Sequence, residues 1–199
     1  MANVSLNRTE LCSLENILSS YVAQKTSIAL SSLLGESVSH NIKKTHTETS
    51  KIGDLKNFVN ELVLCSVFLH GAGDVRLGIL YSIPETDAKQ IAAKLLGMEK
   101  VDSLDDLGMS AISEVGNIMS GSFFNALYDH TGLKVDLSTP DFATTSVSSL
   151  LEPHAAGFLC PISDIMTEIE LTGTNSGIRV HMLIIQDHDN ARKLLNCKR

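Results

Sequence analysis

The stretch SLDDLGMSAISEVGNIMSGSFFNALYDHTG, residues 103–132, decides how the rest of the chain is read. With successive residues about 100° apart around a helix, Ser110, Glu114, Asn117, Gly121 and Asn125 fall within roughly 80° of one another and form a narrow polar stripe. Ile112, Val115, Met119, Phe123 and Ala126 gather on the opposite side, flanked by Ala111, Ile118 and Ser122. The pattern predicts one long amphipathic helix packed on a core. Ser103 and Asp106 have the spacing of a capping box at its start, and Gly132 can take the left-handed conformation that closes it. Gly116 and Gly121 each cost about 1 kcal/mol in a helix interior relative to alanine. Two readings account for them: a neighbouring helix of the same chain packs closely, leaving Glu114 and Asn117 on a solvated face, or another surface approaches the bare patch at Gly121.

The chain's 199 residues, 43% hydrophobic, suffice for a sizeable core. A net charge of −7, with no basic run longer than a pair such as Lys43–Lys44 or Lys198–Arg199, argues against nucleic acid. The sequence contains no apolar run of membrane-spanning length and no charged start followed by an apolar segment, so a cytoplasmic protein without membrane insertion is expected. Cys12, Cys65, Cys160 and Cys197 form no CxxC pair and read as small hydrophobes or free thiols. The seven histidines show no metal-ligand spacing, so no metal site is expected in the chain. GAGD at 71–74 lacks the P-loop pattern and lies between extended runs, as a hairpin turn would.

A second helix is predicted from about Thr9 to Gly35, capped by Asn7 and Glu10, with Leu11, Leu14, Leu18, Val22, Ala29, Leu30 and Leu33 at helical intervals. Ala29, Leu30, Gly35 and Val38 match Ala126, Leu127, Gly132 and Val135 at a constant offset of 97 residues. The segments that follow also correspond: ELVLCSVFLH, GAGD, VRLGILYS and a helix from about Glu85 to Leu96 in the first half, against DIMTEIEL, TGTNSG, IRVHMLII and HDNARKLLN in the second. Each is a β-hairpin followed by a short helix. Ile165, Thr167, Ile169 and Leu171 alternate with Met166, Glu168 and Glu170, which predicts one buried and one wetter face.

A two-hairpin half cannot bury its own apolar faces. The expectation is therefore an α+β fold with two long helices side by side on a shared, mostly antiparallel sheet, the halves related by a pseudo-twofold axis. Residues 1–199 would form a single domain, with halves of about 1–100 and 101–199. The least regular stretch is Ser138 to Pro161, with candidate strand material around Ala143 to Leu150.

The run SAISEVGNIMSGSFFNAL followed by TGLKVDLSTPDF resembles the signature of the CheC, CheX and FliY family of chemotaxis phosphatases, CheC in particular. The pattern falls on Ser110, Glu114, Asn117 and Pro140, with the GNI and NAL portions at Gly116–Ile118 and Asn125–Leu127. The resemblance implies the same duplicated fold over nearly the whole chain. It also implies an enzyme, a phosphatase acting on the aspartyl phosphate of a CheY-type response-regulator receiver. In that role Asn117 would hold the attacking water and Glu114 would pair with a cationic group of the receiver, with Ser110 and Gly121 supporting. No cofactor or metal would be bound by this chain, because the Mg2+ would sit on the receiver.

Several family members carry the Glu and Asn pair in both halves. At the offset of 97, Glu114 aligns with Ile17, Asn117 with Ser20 and Ser110 with Ser13, so a single active surface is expected. The alternative is an adaptor with little or no catalysis, binding the CheD deamidase, a receiver or a flagellar-switch protein.

Overall fold

The computed structural model describes residues 5–47, 64–144 and 164–197. The first long helix opens at α1, Arg8–Ile17. The Asn7 side chain accepts from the Glu10 amide at 3.0 Å, and the Glu10 carboxylate accepts from the Asn7 amide at 2.8 Å, so the expected capping box is complete. The helix continues without a break through a π-helical turn, Leu18–Ala23, into α2, Gln24–Leu34, and ends on Gly35 at φ 68°. After the edge strand β1, Val38–His46, come β2, Leu64–Gly73, and β3, Leu77–Pro84, then α3, Glu85–Leu96.

The second half follows the same order. It begins with α4, Asp106–Thr131, which ends on Gly132 at φ 75°. Two short strands follow, β4, Val135–Leu137, and β5, Asp141–Ala143. The hairpin of β6, Asp164–Gly173, and β7, Arg179–Asp187, leads into α5, His188–Asn196. The expected strand material beyond Ala143 falls mostly outside the described residues, as does Cys160.

The strands form one sheet in the order β1-β6-β7-β3-β2-β4, with β5 also paired to β2. Every pairing is antiparallel. Exchanging the halves turns this order into its own reverse, which is what a pseudo-twofold duplication produces. The two glycines that close the long helices lie 97 residues apart, and both occupy the left-handed region that a side chain would strain.

The core lies between the helices and one face of the sheet. Leu14, Leu18, Val22 and Leu30 of the first long helix meet Ile112, Val115, Met119, Phe123 and Leu127 of α4 over Val67, Leu69, Ile79, Tyr81, Ile169 and Met182. Ile165, Thr167, Ile169 and Leu171 are fully buried, as the alternation predicts. The other face is drier than predicted, because Met166 is buried there together with Phe68, Leu80, Leu183 and Ile185. The polar residues of this face are held by pairing, with Lys43 2.8 Å from Glu170 across β1 and β6.

Among the described cysteines none is in a disulfide. Cys65 is 1% exposed, and burial pushes its thiol up to about 11. Thiolate is the reacting form, so an alkylating reagent at neutral pH will modify the exposed Cys12 in the native protein and reach Cys65 only on unfolding. Peptide mapping by mass spectrometry with and without denaturant measures this directly. Rapid native labelling of Cys65 would contradict the packing of β2.

Candidate functional site

The outer surface of α4 depends on how its underside is held. The helix starts one residue after its cap: Asp105, not Ser103, accepts from the Gly108 amide at 3.0 Å. Asp105 has the extended backbone of an N-cap, at φ −75° and ψ −174°. Ile112, Val115, Met119 and Phe123 point into the core. Between them Gly116 rides on β2, where an added Cβ would lie 2.7 Å from Val67 Cγ1. One turn on, the buried Ser120 hydroxyl donates to the Tyr81 hydroxyl of β3 at 3.3 Å.

This seating turns the polar stripe outward. Ser110, Glu114, Asn117 and Asn125 are all exposed. Asn117 Nδ2 donates to Glu114 Oε2 at 3.5 Å, so the carboxylate and the amide form one contiguous polar pair. The Ser110 hydroxyl donates to the Asp106 carbonyl at 2.8 Å, which commits its proton to the helix and leaves its oxygen as an acceptor. Beside them runs a shallow groove of about 450 Å³, lined by Asp106, Met109, Ser110, Ser113, Glu114, Pro140 and Phe142.

Pro140 and Phe142 reach the groove because β5 is paired to β2, with Phe142 opposite Val67. The residue under Gly116 thus also anchors the strand that carries Pro140. Among the described residues the groove lining contains no Lys, Arg, His or Cys. What it offers is an acceptor carboxylate, a bifunctional amide and hydroxyls, without a base poised to activate a nucleophile. Such a surface can orient a reactant and complement charge supplied by something else.

The first long helix presents a different surface, and the π-turn is the reason. Leu14, Ile17 and Leu18 are buried, as are Ile112, Val115 and Gly116, a separation of 98 residues. Beyond the turn Val22, Leu30 and Gly35 match Met119, Leu127 and Gly132 at 97. A π-turn accommodates one extra residue in a helix, so the offset changes there. The sequence-based alignment is corrected accordingly: the exposed Asn16, not the buried Ile17, stands where Glu114 stands, and Cys12, not Ser13, where Ser110 stands. Asn117 falls on Ser19 or Ser20, inside the turn. Neither register places a carboxylate and an amide on this helix as α4 does.

These features coincide with the region matched by a family model. The CheC-like family model covers residues 107–143, from the first turn of α4 through β5. The CheY-P phosphatase CheC of Bacillus subtilis (strain 168) is 29% identical over 144 residues, 67% of this chain and 68% of that protein. The chain is thus similar to CheC-like proteins, most specifically over α4 to β5. The fold agrees: FliY of Thermotoga maritima superposes with a TM-score of 0.73 over 96% of both chains, at 17% identity. A Borrelia burgdorferi CheX, solved in complex with CheY, BeF3 and Mg2+, gives 0.59 over 84% of this chain and 97% of that chain, at 19% identity. Among the described residues, no helix is long and apolar enough to cross a membrane.

The two glycines of α4 separate into different roles. Gly116 answers to close packing within the chain, against a strand and not the neighbouring helix expected from sequence. At Gly121 an added Cβ would meet nothing within 4 Å. Gly121→Ala should therefore raise stability by about 1 kcal/mol through helix propensity. Gly116→Ala must force the fully buried Val67 to move; overpacking of that kind costs about 1–3 kcal/mol, so it should outweigh the propensity gain and lower stability. Urea midpoints of the two variants measure the contrast, and equal shifts would refute the assignment.

Proposed function

We propose that this chain, acting as one unit of two halves, hydrolyses the aspartyl phosphate of a CheY-type receiver by orienting the attacking water with Asn117. The observation that carries the reading is the exposed Glu114–Asn117 pair on a helix whose neighbouring position, Gly121, leaves the backbone open. The match to a protein named CheY-P phosphatase supports it, as does the superposition on a CheX bound to CheY.

In the reaction the water oxygen forms a bond to phosphorus as the bond from phosphorus to the aspartate oxygen breaks, giving inorganic phosphate and a free carboxylate. The acyl phosphate is already reactive, and the receiver's Mg2+ and cationic side chain would balance charge on the phosphoryl oxygens. The missing component is a water held in line with the leaving oxygen. An amide suits that task because its oxygen accepts from the water while its NH2 donates, much as a glutamine orients water in GTPases. Neither Asn117 nor Glu114 need gain or lose a proton.

Glu114 lies one turn away on the same stripe and would accept a charge-assisted hydrogen bond from the receiver's lysine, fixing the register of the two proteins. Ser110 would border this contact, and Gly121 would admit the receiver close to the helix. Converting a bimolecular attack into a positioned one is worth several kcal/mol, and a displacement of about 1 Å costs about a hundredfold.

The second reading, an adaptor with little catalysis that binds CheD, a receiver or a switch protein, is favoured by one observation: the first long helix keeps an exposed surface without the pair. Phosphate release from a phosphorylated receiver with Mg2+ separates the two. Asn117→Ala should lower the maximal rate on the order of a hundredfold while leaving receiver binding within a few-fold. Glu114→Gln should weaken binding and reduce its sensitivity to salt, because exposed charge pairs are screened. Tight binding by the parent protein with no acceleration would establish the adaptor instead.

A further inference from the structure

The two long helices cross where the Ser122 hydroxyl donates to the Lys25 carbonyl at 3.0 Å. The Tyr21 ring, four residues before Lys25, stacks on His130, eight residues after Ser122, at a centroid separation of 4.0 Å. The helices are therefore antiparallel. Asn117 and Ile118 lie five and four residues before the crossing on α4, and Ile28 lies three residues after it on α2. At about 1.5 Å per residue, these three sit at nearly the same level, within about 3 Å along the helix axes. Adjacent helix axes are about 8–10 Å apart, which places Ile28 on the neighbouring helix at the level of Asn117.

Both isoleucines are exposed, Ile118 by 38% and Ile28 by 53%. Ile118 was expected to flank the buried side of α4; it lies outward instead, next to Asn117. A solitary exposed apolar residue needs no explanation. Here two aliphatic ones lie at one level of the crossing, beside the motif. The pseudo-twofold mate of Ile28 is the polar Asn125, and the mate of Ile118 is Tyr21, already stacked on His130. On the other side of the crossing the exposed large residues are the tyrosines Tyr21 and Tyr128, so the purely aliphatic pair is confined to the side that carries Glu114 and Asn117.

Resting on the phosphatase reading, we infer that Ile118 and Ile28 form an apolar anchor for the receiver, seated against an apolar side chain on the rim of its phosphorylated cleft. The first half then contributes to receiver binding through Ile28, although it lacks the Glu and Asn pair. Neither residue touches the reacting atoms. Their effect is on affinity, with the chemistry left to Asn117.

The test uses the full chain with a phosphorylated receiver and Mg2+, measuring KM and kcat for phosphate release and the thermal midpoint for Ile28→Ser, Ile118→Ser and Tyr21→Ser. Losing the burial of one isoleucine side chain should raise KM about tenfold. Ile28→Ser should show that rise with kcat within about twofold and an unchanged midpoint. Ile118→Ser should behave alike, and Tyr21→Ser should leave KM unchanged. If Ile28→Ser matches the parent while Asn117→Ala is inactive, the anchor is overturned and the phosphatase reading survives. An equal KM rise in Tyr21→Ser, or a fall in kcat without a change in KM for Ile28→Ser, also overturns it. A parent protein that neither binds nor dephosphorylates the receiver removes both.

Discussion

Gly116 against Val67, and Ser120 against Tyr81, hold α4 on the sheet in one rotational setting. A helix advances about 100° per residue, so a slip of one position would carry Glu114 toward the core and bring an apolar residue to the surface. The glycine allows the close approach, and the buried hydroxyl pair fixes the angle because either partner left alone in the core would be costly. The exposed face is in this sense a product of the buried one. Pro140 belongs to the same construction, since the strand that carries it is registered on Val67.

What the site lacks is as informative as what it holds. Among the described residues its groove is lined by carboxylates, hydroxyls and apolar groups, with no cationic side chain and no nucleophile activated by a base. A surface of this kind supplies orientation, and orientation is effective only when the reactive bond and its balancing charge come from the partner. The division of labour suits a substrate that is itself a folded protein, because the geometry can be fixed over a broad contact and not by enclosure in a deep pocket.

Much of this was legible in the sequence. The periodicity of residues 103–132 placed Glu114 and Asn117 on one stripe, and Asn7 with Glu10, Gly35 and Gly132 marked helix ends through local chemistry alone. The features that were not legible depend on tertiary choices. Asp105, not Ser103, caps the helix. Ile118 faces outward, while the polar Ser120 on the same helix is buried with a partner beneath. Gly116 and Gly121 look alike as letters, and only the position of Val67 separates them. The π-turn was invisible because a six-residue run such as Leu18–Ala23 fits either winding, and the extra residue shows only as a mismatch in burial between the halves.

That extra residue bears on how the two halves differ. A helix closed by i to i+5 bonds turns less per residue than its neighbours. Two groups spaced by three across the start of such a turn cannot meet as Glu114 and Asn117 do. Placing a glutamate at Asn16 and an asparagine at Ser19 would write the letters of the motif without its geometry. The two long helices thus differ by a residue in the winding as well as by their side chains. Point substitution alone does not give the first helix the geometry of α4; the chain would first have to give up a residue.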